Sequence, residues 1–281
     1  MKIIECPRDA MQGLHEFVPT ETKVKYLNQL LKVGFDTLDF GSFVSPKAIP
    51  QLRDTAEVLA QLDLTTTPTK LLAIIANVRG AEEAVQFPQI SYLGFPLSVS
   101  ETFQLRNTNK TIAQSFEEVA QIQNLCVAQG KQLVVYLSMG FGNPYGDPYS
   151  PEIVEEFTEK LVQMGVGIIA PSDTIGNSTN DQIKTLFSHL IERFPKVEFG
   201  AHLHAKTSQT PKKVKAAYKA GVRRIDCAVR GFGGCPMAED KLVGNLATEL
   251  VVSELRNLGA DLTIDDLQLA QAMLASQYVF G

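Results

Sequence analysis

The chain has 281 residues, of which 44% are hydrophobic and 20% are charged, and its formal net charge is −5. This balance is that of an ordinary globular protein with a substantial core. It argues against a nucleic-acid partner, because basic clusters are no longer than short pieces such as Lys212-Lys213. It also argues against a membrane protein, because no apolar run approaches the roughly 18 residues that span a bilayer.

The four cysteines are widely scattered and form no CxxC pair. Such cysteines predict reduced thiols and a cytoplasmic protein. The first residues, MKIIECPRDA, become polar too early for a secretory signal. No shift in composition marks a linker, so the sequence predicts one domain over residues 1–281.

Short β-rich runs alternate with helical patterns along the whole chain. Strands are predicted at 2–6, 35–40, 70–76, 89–95, 132–138, 165–171, 197–204 and 222–229. Helices are predicted near 20–33, after Ser45-Pro46, at GAEEAVQ, around 112–129, after Ser150-Pro151, around 179–193, after Thr210-Pro211, at 246–258 and from about 263.

This alternation implies parallel strands joined by helical crossovers. Eight such units in a chain of this length predict a (β/α)8 barrel. A doubly wound open sheet is the competing fold. The barrel is favoured because the eight units are nearly even and no G-x-G-x-x-G follows the first strand.

A barrel of this type carries its active site at the C-terminal ends of its strands. Reactive residue types stand at the predicted ends of five strands and in the glycine-rich loop after the eighth strand. They are Arg8 and Asp9, Asp39, Ser100-Glu101-Thr102, Asp173, His202 and His204, then Cys235 and Asn245.

The two histidines of HLH are the first candidates for metal ligands. Side chains two apart on a strand point the same way, so His202 and His204 can face one point. Asp9 would be the nearest carboxylate in the closed ring, and Asn245 could add an amide oxygen. This set favours Mg²⁺ or Mn²⁺ over a closed zinc site. An isolated H-x-H also arises by chance or in core packing.

Arg8 and Cys235 each admit two interpretations. Arg8 could form a surface ion pair with Asp9, or its guanidinium could stabilise a developing enolate or carboxylate oxygen in the barrel mouth. Cys235 could be a small buried side chain, or it could act as an acid or as part of a lid above the site.

Eight segments in order resemble the 3-hydroxy-3-methylglutaryl-CoA lyase family, whose members are metal-dependent (β/α)8 enzymes. The similarity runs nearly end to end, and the GGCP loop is the segment most particular to the lyases. The segments are PRDAMQG, SFVSPKAIPQLRD, SETFQLRNTNKTIAQSF, NPYGD, SDTIG, HLH, GFGGCP and GNLATE.

The resemblance implies cleavage of 3-hydroxy-3-methylglutaryl-CoA to acetyl-CoA and acetoacetate, a step of leucine catabolism, by a homodimer. It implies Asp9, His202, His204 and Asn245 as ligands of Mg²⁺ or Mn²⁺. The implied catalytic residues are Arg8, Asp39, Asp173, His202 and Cys235. The implied contacts to the acyl-CoA substrate are Arg8, Gln12, Thr174 and Glu249, with Glu5 as a further acidic position near the site.

Three departures from the family pattern leave the substrate open. Ala205 stands where the family has Asp after the second histidine, Asp39 replaces Glu, and MAEDKLVGN with Met237 replaces YAKGASGN. One alternative is therefore a lyase or aldolase for another 3-hydroxyacyl-CoA or a 4-hydroxy-2-oxo acid. The other is an idle barrel that binds an acyl-CoA without turnover.

Overall fold

The computed structural model of the protein describes residues 1–233 and 243–281. In these residues eight parallel strands pair in chain order, and the last pairs with the first, which closes the sheet into a barrel. The predicted (β/α)8 fold is thus confirmed, and the open sheet is excluded. The strands are β1 Lys2–Glu5, β2 Thr37–Ser42, β3 Lys70–Ile74, β4 Ile90–Ser98, β5 Gln132–Ser138, β6 Ile168–Asp173, β7 Glu198–Leu203 and β8 Arg224–Cys227.

Each strand is followed by one or more helices that cover the outside of the barrel. The predicted start at Ser150-Pro151 is confirmed, since the Ser150 hydroxyl accepts the Ile153 N–H. The helices are α1 Pro7–Gln12, α2 Thr20–Leu30, α3 Thr55–Leu59, α4 Val78–Ala84, α5 Glu101–Thr108, α6 Ile112–Ala128, α7 Pro151–Gln163, α8 Asn180–Arg193, α9 Thr210–Lys219, α10 Thr248–Asn257, α11 Asp266–Ala275 and α12 Gln277–Phe280.

Two local predictions were wrong. Arg8 and Asp9 do not end β1 but lie in α1, which begins at Pro7, a residue whose fixed φ suits a first helical turn. Ser45-Pro46 does not open a helix, and α3 begins only at Thr55. A helix starting at Pro46 would need the N–H of residue 50, which is also a proline.

Helix α5 was not predicted, although its start carries a clear signal. The hydroxyl of Ser100 accepts the N–H of Phe103 and so caps the first turn. The Asp147 carboxylate accepts the Ser100 hydroxyl and the Thr102 N–H, which ties this turn to the loop after β5. These contacts fix the rim of the barrel above β4 and β5.

The barrel is filled with side chains and is not a channel. Its interior cluster consists of Leu72, Ile74, Tyr92, Val134, Tyr136, Ile168 and Ala170. A much larger apolar layer lies between the strands and the helices. Within the described ranges, none of the helices has the length and apolarity needed to cross a bilayer.

Candidate metal centre and cavity

Three side chains converge at the C-terminal end of the barrel. Asp9, His202 and His204 each offer one ligand atom, and these atoms all lie within 4.8 Å of one another. Asp9 comes from α1, whereas both histidines leave the end of β7 on the same side. The structure therefore brings together the carboxylate and the two imidazoles that the sequence predicts as metal ligands.

The donor set fits a divalent cation. The Nε2 atom of His204 is buried and has no hydrogen-bond partner among the described residues. Burying a polar atom without a hydrogen-bond partner costs free energy. A cation bound between this nitrogen, the other imidazole and the carboxylate would supply the missing partner. Two nitrogens and one carboxylate oxygen leave open positions for water or substrate, as catalytic metal sites do.

Each histidine is oriented through its Nδ1 atom. His204 Nδ1 lies 2.9 Å from the carbonyl oxygen of Thr174, so it donates there and leaves Nε2 as the acceptor. Burial, with the neighbouring His202, lowers the pKa of His204. A lowered pKa keeps this imidazole neutral, which is the form that binds a metal.

The Asp9 carboxylate is held by three donors. Arg8 Nη1 lies 3.1 Å and Gln12 Nε2 2.8 Å from Asp9 Oδ1, and Asn245 Nδ2 lies 2.7 Å from Oδ2. Burial alone would raise the pKa of Asp9, but Arg8 and the two histidines outweigh it and leave the pKa lowered. Asp9 is thus a fixed, ionised carboxylate.

Asn245 lies beside Asp9, as the sequence predicts. Its Nδ2 also donates to the carbonyl oxygen of Phe232 at 3.0 Å, so two acceptors fix which end of the amide faces Asp9. That end is the nitrogen. A metal–oxygen bond from Asn245 stays a proposal.

Asp39 lies inside β2 and not at its end. Its side chain is fully buried, and its carboxylate accepts hydrogen bonds from the Arg8 guanidinium. Burial raises the pKa of Asp39 to about 6, although Arg8 acts in the opposite direction. The structure therefore makes Asp39 a partner of Arg8, where the resemblance implied a catalytic residue.

The convergent groups open into a cavity lined by both polar and apolar side chains. Gln12 and Thr174, both predicted to contact substrate, line it together with Arg8. The other polar lining residues are Asn107, Thr108, Tyr136, Ser138 and Ser172, and the apolar ones are Val44, Ile49, Ile74, Ala76, Pro96 and Phe103.

Two predicted site residues lie elsewhere. Asp173 is not among the residues that line the cavity, because it alternates with Ser172 and Thr174 and turns outward to Lys213, 2.5 Å away. Glu249 is also outside the cavity lining and accepts the Arg230 N–H at 3.0 Å. Cys235 and Met237 lie outside the described residues.

Sequence reasoning missed Asp226. Its Oδ2 atom lies 3.1 Å from Nδ1 of His202, and the residue is 1% exposed. The signal was present in RRIDC, where Arg224 and Asp226 occupy alternate positions of a strand. Two charged residues on one face of a barrel strand indicate a polar interior.

Comparison with known proteins gives one consistent family. A family model described as HMGL-like matches residues 2–276. A mitochondrial hydroxymethylglutaryl-CoA lyase of Macaca fascicularis is 35% identical over 277 residues, which cover 97% of this chain and 83% of that protein. The hydroxymethylglutaryl-CoA lyase of Bacillus subtilis is 32% identical over 252 residues, covering 90% of this chain and 83% of that protein.

Solved structures agree with the sequence relatives. An HMG-CoA lyase of Acinetobacter baumannii, in complex with coenzyme A and 3-methylmalate, superposes with a TM-score of 0.91 at 32% identity. The superposition covers 99% of this chain and 91% of that one. The chain is thus similar over nearly its whole length to proteins of one named activity.

Proposed function

The chain belongs to the HMGL-like family and is a carbon–carbon lyase, and from that premise we propose that it cleaves 3-hydroxy-3-methylglutaryl-CoA to acetyl-CoA and acetoacetate with Mg²⁺ or Mn²⁺. The observation that carries the proposal is the convergence of Asp9, His202 and His204 beside Arg8 in one cavity. The coenzyme A bound to the Acinetobacter baumannii lyase supports an acyl-CoA substrate.

The reaction is a retro-Claisen cleavage. The proton of the tertiary hydroxyl is removed, the bond between C2 and C3 breaks, and its electron pair forms the enolate of acetyl-CoA, which is then protonated at carbon. Asp9, His202 and His204 would hold the cation. When bound, a divalent cation lowers the pKa of a coordinated hydroxyl and fixes its orientation.

Arg8 is the group placed to stabilise the enolate. Its guanidinium is buried and lines the cavity beside the metal ligands. The attraction of Asp39 and Asp9 outweighs the effect of burial and raises its pKa, so it stays charged throughout the reaction. A fixed positive charge in a site with little water stabilises developing negative charge without reorganising.

His202 is the acid that the resemblance implies for returning the proton to carbon, and it could do so only while its Nε2 is not bound to the cation. It lines the cavity, and its pKa is raised: burial lowers it, but the hydrogen bond and the charge of Asp226 act more strongly. Cys235 is the alternative acid suggested by the sequence. The base that removes the hydroxyl proton is left unassigned.

A second substrate class is favoured by one observation. Much of the cavity wall is apolar, and apart from the two histidines Arg8 is the sole cationic side chain among the described residues that line it. Arg8 already bonds two carboxylates. A free substrate carboxylate would therefore depend on neutral hydroxyl and amide groups, such as those of Thr108 and Asn107, whereas an alkyl substituent would contact the apolar wall. Another 3-hydroxyacyl-CoA is the candidate.

The test is a coupled assay for acetyl-CoA release after the protein is stripped with a chelator. The proposal predicts no release from 3-hydroxy-3-methylglutaryl-CoA without metal, recovery with Mg²⁺ or Mn²⁺, and loss in His204→Ala. Release from a 3-hydroxyacyl-CoA without the distal carboxylate, and none from the glutaryl compound, would favour the second class. Binding of acyl-CoA without any release would make the protein an idle barrel.

Two further expectations stay predictions. The described cysteines Cys6, Cys126 and Cys227 are buried and form no disulfide. This agrees with the reduced thiols on which the cytoplasmic location was based. The homodimer stays a prediction from the resemblance and is testable by light scattering of the purified protein.

A further inference from the structure

The two histidines of the metal centre are held by chemically different partners. His204 Nδ1 faces a neutral carbonyl oxygen, that of Thr174. His202 Nδ1 faces a carboxylate, that of Asp226. Thr174 lies in the loop after β6. Asp226, in contrast, lies on β8 with its side chain inside the barrel.

Burying the Asp226 carboxylate inside the barrel costs free energy. Its side chain is 1% exposed, and its Oδ1 atom has no hydrogen-bond partner among the described residues. Its single hydrogen bond is therefore the one to His202. A buried carboxylate with a single hydrogen bond contributes little to the free energy of folding. The contact with His202 is therefore the better explanation of why an aspartate stands here.

A buried cation lies near Asp226 without hydrogen-bonding to it among the described residues. Arg224 lies two residues earlier on β8, is 1% exposed and pairs with Glu198 at 3.3 Å. Lys2 pairs with the same Glu198 at 2.6 Å. Asp226 is thus attracted by a nearby buried cation, whereas its hydrogen bond goes to the imidazole of His202.

We propose that Asp226 is a positioning residue, which fixes the His202 ring with Nδ1 protonated so that Nε2 presents its lone pair to the divalent cation. A carboxylate accepts but cannot donate, so of the two neutral tautomers only this one forms the observed contact. An imidazole with the opposite tautomer would point a proton at the cation and could not bind it. The role rests on the metal centre of the proposed function.

The first test is the affinity for Mn²⁺, measured by the electron paramagnetic resonance signal of free Mn²⁺. In Asp226→Asn the side-chain amide can donate to Nδ1 and stabilise the wrong tautomer. The expected result is about 10- to 100-fold weaker binding, the usual effect of losing a residue that orients a metal ligand. Asp226→Glu, which keeps the carboxylate, should recover part of this loss.

Asp54→Asn is the matched control. Asp54 is also a buried carboxylate, paired with Lys23 at 2.7 Å, but it lies between α2 and α3. Asp54→Asn should bind Mn²⁺ as the wild type does, even where the loss of its ion pair lowers the stability of the protein. Equal Mn²⁺ affinity in Asp226→Asn and wild type would refute the positioning role alone. A wild-type protein that binds no Mn²⁺ would refute the metal centre and the positioning role together.

A second measurement needs no folded variant. The ¹⁵N chemical shifts of the His202 ring in the metal-free wild type, measured at a pH at which the ring is neutral, distinguish the two tautomers. The proposal predicts protonated Nδ1 and unprotonated Nε2. The opposite tautomer, or an even mixture, would overturn it, whatever the activity of the protein.

Discussion

Arg8 and Asp39 form a forked ion pair at the mouth of the barrel. Arg8 Nη2 lies 2.5 Å and Nε 3.0 Å from Oδ2 of Asp39. The third guanidinium nitrogen, Nη1, turns to Asp9 and Gln12. All the nitrogens of the guanidinium are therefore anchored, and its position relative to the metal ligands is fixed. A planar, anchored cation of this kind is preorganised to stabilise an enolate.

Loss of the Asp39 carboxylate should therefore lower kcat more than it raises KM. For Asp39→Ala we expect kcat to fall by about 100-fold, the usual scale for loss of one preorganised electrostatic contact. Asp39→Glu, which restores the residue of the family pattern, should stay within about tenfold of wild type. Steady-state kinetics at saturating Mn²⁺ provide the measurement. Equal kcat in Asp39→Ala and wild type would show that Arg8 needs no anchor.

The strand pattern was enough to predict the barrel and the convergence of Asp9, His202 and His204. Closure of the sheet brings the ends of β1 and β7 to the same face, whatever the details of the loops. The direction of individual side chains was not predictable in the same way. Asp173 lies at the end of a strand as the histidines do, but its side chain alternates with those of Ser172 and Thr174 and therefore points outward.

Contacts between residues that are distant in sequence could not be predicted either. Lys213 is a helix residue 40 positions after Asp173, and nothing local indicates that its ammonium is buried. Its Nζ bonds Asp173 Oδ2 and the carbonyl oxygens of Gly176 and His204. Such contacts depend on how α9 packs on the barrel, which the helical pattern alone does not fix.

Removal of the Lys213 ammonium should destabilise the protein strongly. In Lys213→Met the buried Asp173 carboxylate loses its cation, so we expect the free energy of unfolding to fall by about 3–5 kcal/mol. The adjacent Lys212 is exposed, and Lys212→Met should change it by less than about 0.5 kcal/mol. Urea unfolding monitored by circular dichroism compares the two. The prediction fails where both variants unfold at the same urea concentration.

Cys235 is predicted from the sequence to act above the site. In that case Cys235→Ser should lower turnover much more than it lowers the melting temperature. Cys126→Ser is the contrasting variant, because Cys126 lies in α6 and packs in the apolar layer with 1% exposure. It should lose stability and keep its turnover. Parallel losses of turnover and stability in Cys235→Ser would instead indicate that Cys235 is a buried residue of the core.

Glu5 gives the stability of the protein a dependence on pH. Its carboxyl, at the end of β1, is fully buried. The Thr248 hydroxyl donates to it at 2.6 Å and the Val229 N–H at 2.8 Å. Burial raises the pKa of Glu5 to about 8, and the two donors only partly oppose this. The folded protein therefore holds this proton at neutral pH, whereas an unfolded chain releases it above the ordinary glutamate pKa of 4.5.

The stability of the wild type should therefore fall, relative to Glu5→Gln, as pH rises from about 5 to 8. A pKa raised on folding favours the folded state at low pH, and this advantage shrinks by up to about 1.4 kcal/mol per pH unit until the folded pKa is reached. Over this interval the difference between the two free energies of unfolding should change by up to about 4 kcal/mol. Glu57→Gln, at an exposed position of α3, should follow the wild type at every pH. A constant difference between wild type and Glu5→Gln from pH 5 to 8 would mean that Glu5 is ionised in the folded protein.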